Sequence, residues 1–164
     1  MFSMKTADLC DEYADWLKLC KTAFYSYGKK KEFNGEIRTV EVYEDNSMVK
    51  ECLETIEPGT ILVVDGGGSI NCALLGDQLA AIAAKRKISG IIINGCVRDS
   101  ADLAHIDLGI KAIGTCPFKS NKRGEGTKGS TLSFGNVEWI PGQFVYADDD
   151  GIIISENPLD SKPG

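Results

Sequence analysis

The sequence predicts an α/β fold, a single compact domain over residues 1–164 with a parallel-like middle and a hairpin-rich C-terminal part. Three observations carry this expectation. Two continuous apolar runs of buried-strand type, Ile61-Leu62-Val63-Val64 and Gly90-Ile91-Ile92-Ile93, are each followed by a loop and then a helical pattern. The C-terminal stretch holds short strands separated by Gly135-Asn136, Pro141-Gly142 and Asp150-Gly151. No repeat, heptad pattern or linker divides the chain. Strands that read as unbroken apolar runs are covered on both faces, and alternation with helices supplies the cover, whereas turn dipeptides between β-branched runs mark hairpins.

In chain order, Leu9, Tyr13, Trp16 and Leu17 fall at helical spacing and predict an amphipathic helix capped by Thr6, with Asp8 favourable at its positive end. After the polar stretch 28–31, the β-branched run 37–43 predicts a strand. Val49, Cys52, Leu53 and Ile56 behind Ser47 predict a second helix, ended by Pro58-Gly59. The first buried run leads through Gly66-Gly67-Gly68 into a helix pattern at Leu75, Leu79, Ile82 and Ala83. The second leads to Arg98-Asp99 and a short helix that Ser100 is placed to cap, and a further strand spans 110–116 until Pro117 halts it. Segment 119–129 has three glycines, four basic residues and no apolar periodicity, which predicts a mobile surface loop. Strands at 131–134, 137–140, 144–147 and 152–154 complete the chain.

Composition narrows the function. Lys and Arg number 18 against 24 Asp and Glu, a net charge of −6, which argues against a nucleic-acid groove because phosphate neutralisation needs clustered cations. At 43% hydrophobic and 26% charged the balance is that of a globular protein. No stretch approaches the roughly 20 apolar residues of a membrane span, and the N-terminal residues have no signal-peptide pattern, so a cytoplasmic location and no membrane partner are expected. The six cysteines lie ten or more residues apart with no CxxC pair, and His105 is the only histidine. Reduced, structural thiols are therefore expected rather than a zinc site. His105, with Leu103, Ile106 and Leu108 around it, reads as a surface or helix-end residue.

Two features remain for chemistry. Gly66-Gly67-Gly68 follows a strand, but it lacks both the Walker ending and the GxGxxG spacing, so tight backbone geometry explains it better than a nucleotide. Gly76-Asp77-Gln78-Leu79 opens one helix and Arg98-Asp99 ends the next strand, and loops at the carboxyl ends of parallel strands converge on one face. Helix-terminal amides and Arg98 would there accept a carboxylate, while Asp99, with Asp77 acting through water, would offer the hard oxygen ligands that Mg²⁺ or Mn²⁺ prefers. On spacing alone a second reading stands beside this one. In it Asp77 only caps its helix, and Arg98 and Asp99 are loop charges or an ion pair.

The chain resembles a known family. Asp77, twenty residues, then Arg98-Asp99 is similar to the Asp-x20-Arg-Asp pattern of class II, metal-dependent pyruvate aldolases, which share a family with the regulators of ribonuclease E activity A. The likeness extends through Thr6-Ala7-Asp8-Leu9-Cys10-Asp11, Glu44-Asp45-Asn46, Val63-Val64-Asp65-Gly66-Gly67-Gly68, and Tyr146-Ala147-Asp148 to Ser155-Glu156. The resemblance implies a swivelling β/β/α fold, a homotrimer and a metal-pyruvate site near a subunit boundary. Residue by residue, it implies Gly76, Asp77, Gln78 and Leu79 as the substrate loop, with Arg98 as carboxylate clamp, Asp99 as metal ligand, and Asp77, Arg98 and Asp99 as the catalytic set. The implied activity is divalent-metal-dependent cleavage of a small 2-oxo acid: oxaloacetate decarboxylation, with 4-hydroxy-4-methyl-2-oxoglutarate aldol cleavage second. The larger aldolases also take an acidic residue from a neighbouring subunit's C-terminal extension, a place for which Glu156 and Asp160 are the candidates here. The alternative the resemblance implies is a non-catalytic regulator that binds and inhibits a ribonuclease E-like protein.

Overall fold

In the computed structural model, which describes residues 3–159, the buried runs form the centre of a mixed sheet. The strands are β1 (Leu17–Leu19), β2 (Tyr25–Ser26), β3 (Phe33–Glu41), β4 (Ile61–Asp65), β5 (Ala73–Leu75), β6 (Gly90–Val97), β7 (Gly109–Thr115), β8 (Thr127–Lys128), β9 (Leu132–Phe134), β10 (Val137–Trp139), β11 (Phe144–Asp148) and β12 (Gly151–Ser155). The helices are α1 (Thr6–Tyr13), α2 (Ser47–Thr55), α3 (Asp77–Lys85) and α4 (Ser100–Leu103). Among the described residues, ten strands share one sheet in the order β1-β12-β11-β3-β4-β6-β7-β2, with β5 beside β6 and β8 beside β3, while β9 and β10 form a separate hairpin. Strands β3, β4, β6 and β7 run parallel, with Val40 opposite Val64 and Val64 opposite Ile93, and the flanking strands are antiparallel.

Period two explains why β4 and β6 read as unbroken apolar runs. Leu62, Val64, Ile91 and Ile93 pack on the side of the helices, against Val49, Leu53, Ala80, Ala83 and Leu103. Ile61, Val63 and Ile92 face the other way, onto Ile37, Trp139, Val145 and Ile154. Trp139 is fully buried there, stacked on Phe134 at 4.8 Å between ring centroids, with its Nε1 donating to the Phe134 carbonyl at 3.1 Å. All six cysteines are free and five are buried, and His105 is exposed just after α4. Gly67 and Gly68 hold φ of +67° and +72°, and the amides of Gly66 and Gly68 both donate to the Asn94 carbonyl at 3.0 and 3.1 Å. That loop is a tight turn whose amides are spent on the protein.

Four local expectations are corrected. The first helix stops at Tyr13, because Ala14–Trp16 tightens into a 3₁₀ turn and Leu17–Leu19 joins the sheet edge against β12; Trp16 is left 54% exposed. Thr6 does not cap that helix. It is the first helical residue, and Asp148 supplies the acceptor instead, taking the Thr6 amide at 2.7 Å and its hydroxyl at 2.6 Å. Leu75 ends β5 rather than opening α3, since a three-residue strand is too short to show a period. Segment 119–129 is pinned rather than mobile: β8 pairs with β3, the Ala73 amide donates to the Phe118 carbonyl at 2.8 Å, and the Asn121 amide donates to the Glu44 carbonyl at 2.8 Å.

Candidate active site

Backbone pairing brings the two halves of the Asp-x20-Arg-Asp spacing together. Parallel β5 and β6 end side by side, and the Arg98 amide donates to the Leu75 carbonyl at 2.9 Å. Gly76 turns the chain into α3, whose first residue is Asp77. Asp99 follows β6 with φ of +57°, a left-handed conformation that Asp and Asn tolerate better than other side-chain-bearing residues, and its carbonyl accepts the Leu103 amide at 2.9 Å to start α4. In that pose Asp99 Oδ2 accepts the Asp77 amide at 3.0 Å. The carboxylate thus caps α3 from another loop, and neither Asp77 nor Ser100 makes a side-chain cap. The Gln78 and Leu79 amides lie in the first turn, where helix geometry supplies no acceptor.

These residues line a cavity of about 380 Å³ together with Asn46, Lys50, Lys119, Ser120 and Lys122. Its charged lining is Lys50, Arg98, Lys119 and Lys122 against Asp77 and Asp99, a local excess of two positive charges on a chain of −6. Among the described residues the Arg98 guanidinium makes no hydrogen bond and no ion pair, so the sequence-level alternative of an Arg98-Asp99 pair does not hold. Cations without ion-pair partners around a concave site suit an anion. Sequence reasoning missed Asn46, Lys50 and Ser120, and Lys119 and Lys122 of the basic segment. The available signal was a cluster of basic residues in an acidic chain.

Asp45, only 2% exposed, holds that basic segment in place. Its carboxylate accepts the Ser47 amide at 2.9 Å, the Arg123 amide at 2.7 Å and the Glu125 amide at 3.3 Å, and a short hydrogen bond from the Ser47 hydroxyl. Burial alone pushes this carboxyl up, but the bonds from Ser47, Arg123 and Glu125 outweigh it and hold it at about 2. A carboxyl depressed in the folded state contributes stability that is complete above its unfolded value near 4 and is lost as pH falls toward 2. Thermal unfolding should therefore show an acid-dependent fall over that window which is shallower in Asp45→Asn. Identical acid slopes in both proteins would contradict the assignment.

The sequence matches the family model described as RraA-like, Aldolase/RraA, over residues 6–154. The chain belongs to the RraA-like family. An RraA-like relative from Bacillus cereus, named as a candidate 4-hydroxy-4-methyl-2-oxoglutarate aldolase, is 57% identical over 155 residues, covering 94% of this chain and 98% of that protein. Among solved structures, a Geobacillus kaustophilus HTA426 protein described as S-adenosylmethionine:2-dimethylmenaquinone methyltransferase superposes with a TM-score of 0.96 at 54% identity, covering 98% and 99% of the two chains. The RNA-processing inhibitor RraA from Thermus thermophilis superposes at 0.91 and 38% identity, covering 96% and 95%. The RraA-like fold is thus the single α/β domain with parallel middle strands that the sequence predicts. Of the two C-terminal acids considered for completing an RraA-like site, Glu156 lines a separate cavity beside Trp16 and Lys18, and Asp160 lies outside the described residues.

Proposed function

We propose that the chain is a divalent-cation-dependent lyase of 2-oxo acids, cleaving 4-hydroxy-4-methyl-2-oxoglutarate by retro-aldol reaction and decarboxylating oxaloacetate. One observation carries the reading: an unpaired Arg98, the Asp99 carboxylate and the amino end of α3 share one cavity. Arg98 binds the C1 carboxylate of the substrate through its planar fork, and the Gln78 and Leu79 amides complete that anion site. The donor set suits Mg²⁺ or Mn²⁺, because the cavity holds two carboxylates, and among the described residues no cluster of three His, Cys, Asp or Glu could form an all-protein cage. Mg²⁺ keeps several waters and binds through one or two carboxylates. Asp99 would hold the ion, with Asp77 acting through water, and the ion would neutralise negative charge developing on the 2-oxo oxygen.

Retro-aldol cleavage breaks C3–C4 as the 4-hydroxyl loses its proton, so the bond's electrons enter a pyruvate enolate and the departing half leaves as a second pyruvate. Asp77 orients the water that takes that proton. Lys50, Lys119 and Lys122 meet the distal carboxylate. That feature moves the weight from decarboxylation toward the aldol substrate, whose distal carboxylate keeps its charge, whereas oxaloacetate must shed that charge as CO₂. The same lining opposes a methyl-transfer reading, since S-adenosylmethionine carries a sulfonium cation and an adenine ring, and this cavity offers four cations and no aromatic side chain.

Pyruvate release from both substrates should depend on Mg²⁺, stop with a chelator and exceed the rate with Mg²⁺ alone. Equal rates with and without protein would sink the enzyme reading. We attach a homotrimer and a cytoplasmic location to the proposal, and sedimentation tests the first; Tyr43, Ile70 and Phe118, at 65%, 70% and 73% exposure, are large apolar groups that an interface would cover. The similarity to a Thermus RNA-processing inhibitor favours a second reading, binding of a ribonuclease E-like protein. A net charge of −6 makes a basic partner segment the expected target, so ribonuclease capture should weaken with salt while RNA alone binds poorly.

A further inference from the structure

We infer that Asp45 is a positioning residue that sets the cavity's preference for substrates with two carboxylates, by fixing Lys122 on the cavity wall. The inference rests on the lyase reading above for its substrate class. Asp45 itself does not line the cavity. It precedes α2 and is bonded to the Arg123 and Glu125 amides, one on each side of Gly124, whose own amide donates to Ser47 Oγ at 2.9 Å. Three successive amides therefore converge on the Asp45-Ser47 pair, and a carboxylate inside the protein fills a nest of the kind that elsewhere binds an external anion. The next residue along, Asn46, takes its amide proton to the Asn121 carbonyl at 3.3 Å and to Ser120 Oγ at 3.2 Å, and its Oδ1 accepts Lys122 Nζ at 3.0 Å. Asn46 Nδ2 donates to the Leu74 carbonyl at 3.3 Å, which ties the same unit to β5 beneath the substrate loop.

The physical consequence is selective. A lysine on an exposed glycine-containing segment has many rotamers and a mobile backbone, and ordering both on binding a ligand would cost much of what the ion contact returns. With the backbone fixed by Asp45 and the ammonium held at Asn46, that ordering precedes binding. Arg98 and Asp99 follow β6, and neither is hydrogen-bonded to Asp45, so the two side chains that grip the pyruvate end do not depend on it directly. Asp45 thus acts chiefly on the distal carboxylate, through Lys122.

The test is calorimetric binding, with Mg²⁺ present, of 2-oxoglutarate, which has a distal carboxylate, and of pyruvate, which lacks one. The proteins are the full chain, Asp45→Asn, Lys122→Ala and the double variant. Asp45→Asn and Lys122→Ala should each weaken 2-oxoglutarate about tenfold, the loss expected for one charge-assisted contact. The double variant should be no weaker than Lys122→Ala, because residues acting through one group are not additive. Pyruvate should bind Asp45→Asn as it binds the unaltered chain. Should Asp45→Asn fail to fold, Ser47→Ala removes two bonds, from the Ser47 hydroxyl to Asp45 and from the Gly124 amide to Ser47 Oγ, while leaving the Arg123 and Glu125 amides on Asp45, and should show the same selectivity, reduced to about two- to threefold. A further loss in the double variant, an equal loss for pyruvate, or no 2-oxoglutarate binding by the unaltered chain would overturn the inference. Turnover of the unaltered chain is scored separately. The predicted binding pattern without turnover would defeat the lyase reading and leave Asp45's role standing.

Discussion

Asp99→Asn should cost at least about 100-fold in pyruvate release and abolish the response to Mg²⁺, while moving the unfolding midpoint by no more than a few degrees. The substitution separates two functions that one carboxylate performs. Asp99 Oδ2 accepts the Asp77 amide at 3.0 Å and so caps α3, and an amide oxygen does this nearly as well as a carboxylate. Asn also tolerates the left-handed backbone that Asp99 adopts at φ of +57°. What Asn lacks is the charge. Asp99→Ala is the cruder lesion, because it removes the cap, worth about 1 kcal/mol, and places a β-carbon-bearing residue with no compensating side chain in a strained conformation. Its inactivity alone would be ambiguous. Loss of activity in Asp99→Asn at retained stability identifies the charge as the requirement, whereas full activity in that variant would remove Asp99 from the proposed site even if the enzyme reading survived.

The elements readable from sequence were those whose burial leaves a pattern within one segment. Strands β4 and β6 are covered on both faces and announce themselves as apolar runs, and the hairpins between β9 and β12 are punctuated by turn dipeptides. Where a partner distant in sequence decides the outcome, local reading failed. Trp16 and Leu17 continue the helical spacing of Leu9 and Tyr13, yet β12 offers a strand partner and the sheet edge wins over the period. Thr6 has the chemistry of a cap, but an acceptor 142 residues away takes its protons. Segment 119–129 has the composition of a mobile loop because the groups that immobilise it, Asp45 and Ser47, lie some 77 to 80 residues earlier.

The candidate site divides in the same way. Arg98, Asp99 and the loop from Gly76 to Leu79 were legible through their spacing and the family likeness, and the structure brings them to one cavity. Lys50, Lys119 and Lys122 were not, since each looks like a solvated lysine until the fold shows that all three face one concavity in an acidic protein. Cysteine spacing predicts structural thiols that pack like small hydrophobes, and five of the six are buried.

Gly76→Ala should lower retro-aldol turnover about 100-fold while leaving the fold intact. Backbone strain is not the reason, for Gly76 has φ of −132° and ψ of −168°, an extended conformation open to any residue. The obstacle is space. A β-carbon built there stands 2.7 Å from Asp99 Oδ2, closer than such atoms approach, and 3.4 and 3.5 Å from Cγ and Nε of Arg98. The alanine methyl fits only if the Asp99 carboxylate withdraws, and withdrawal takes that oxygen from the Asp77 amide and from the position proposed for binding the metal. A displacement of about 1 Å at a reacting centre is enough for a loss of about 100-fold. The neighbour that yields is a carboxylate at the cavity surface rather than packed core, so the midpoint of thermal unfolding should fall by only a few degrees. Combining Gly76→Ala with Asp99→Asn distinguishes this account from general damage. If the methyl acts through the Asp99 carboxylate, the double variant is no slower than Asp99→Asn alone. Wild-type turnover in Gly76→Ala, or a further loss of similar size in the double variant, would show that the Gly76-Asp99 approach is not what the active arrangement requires.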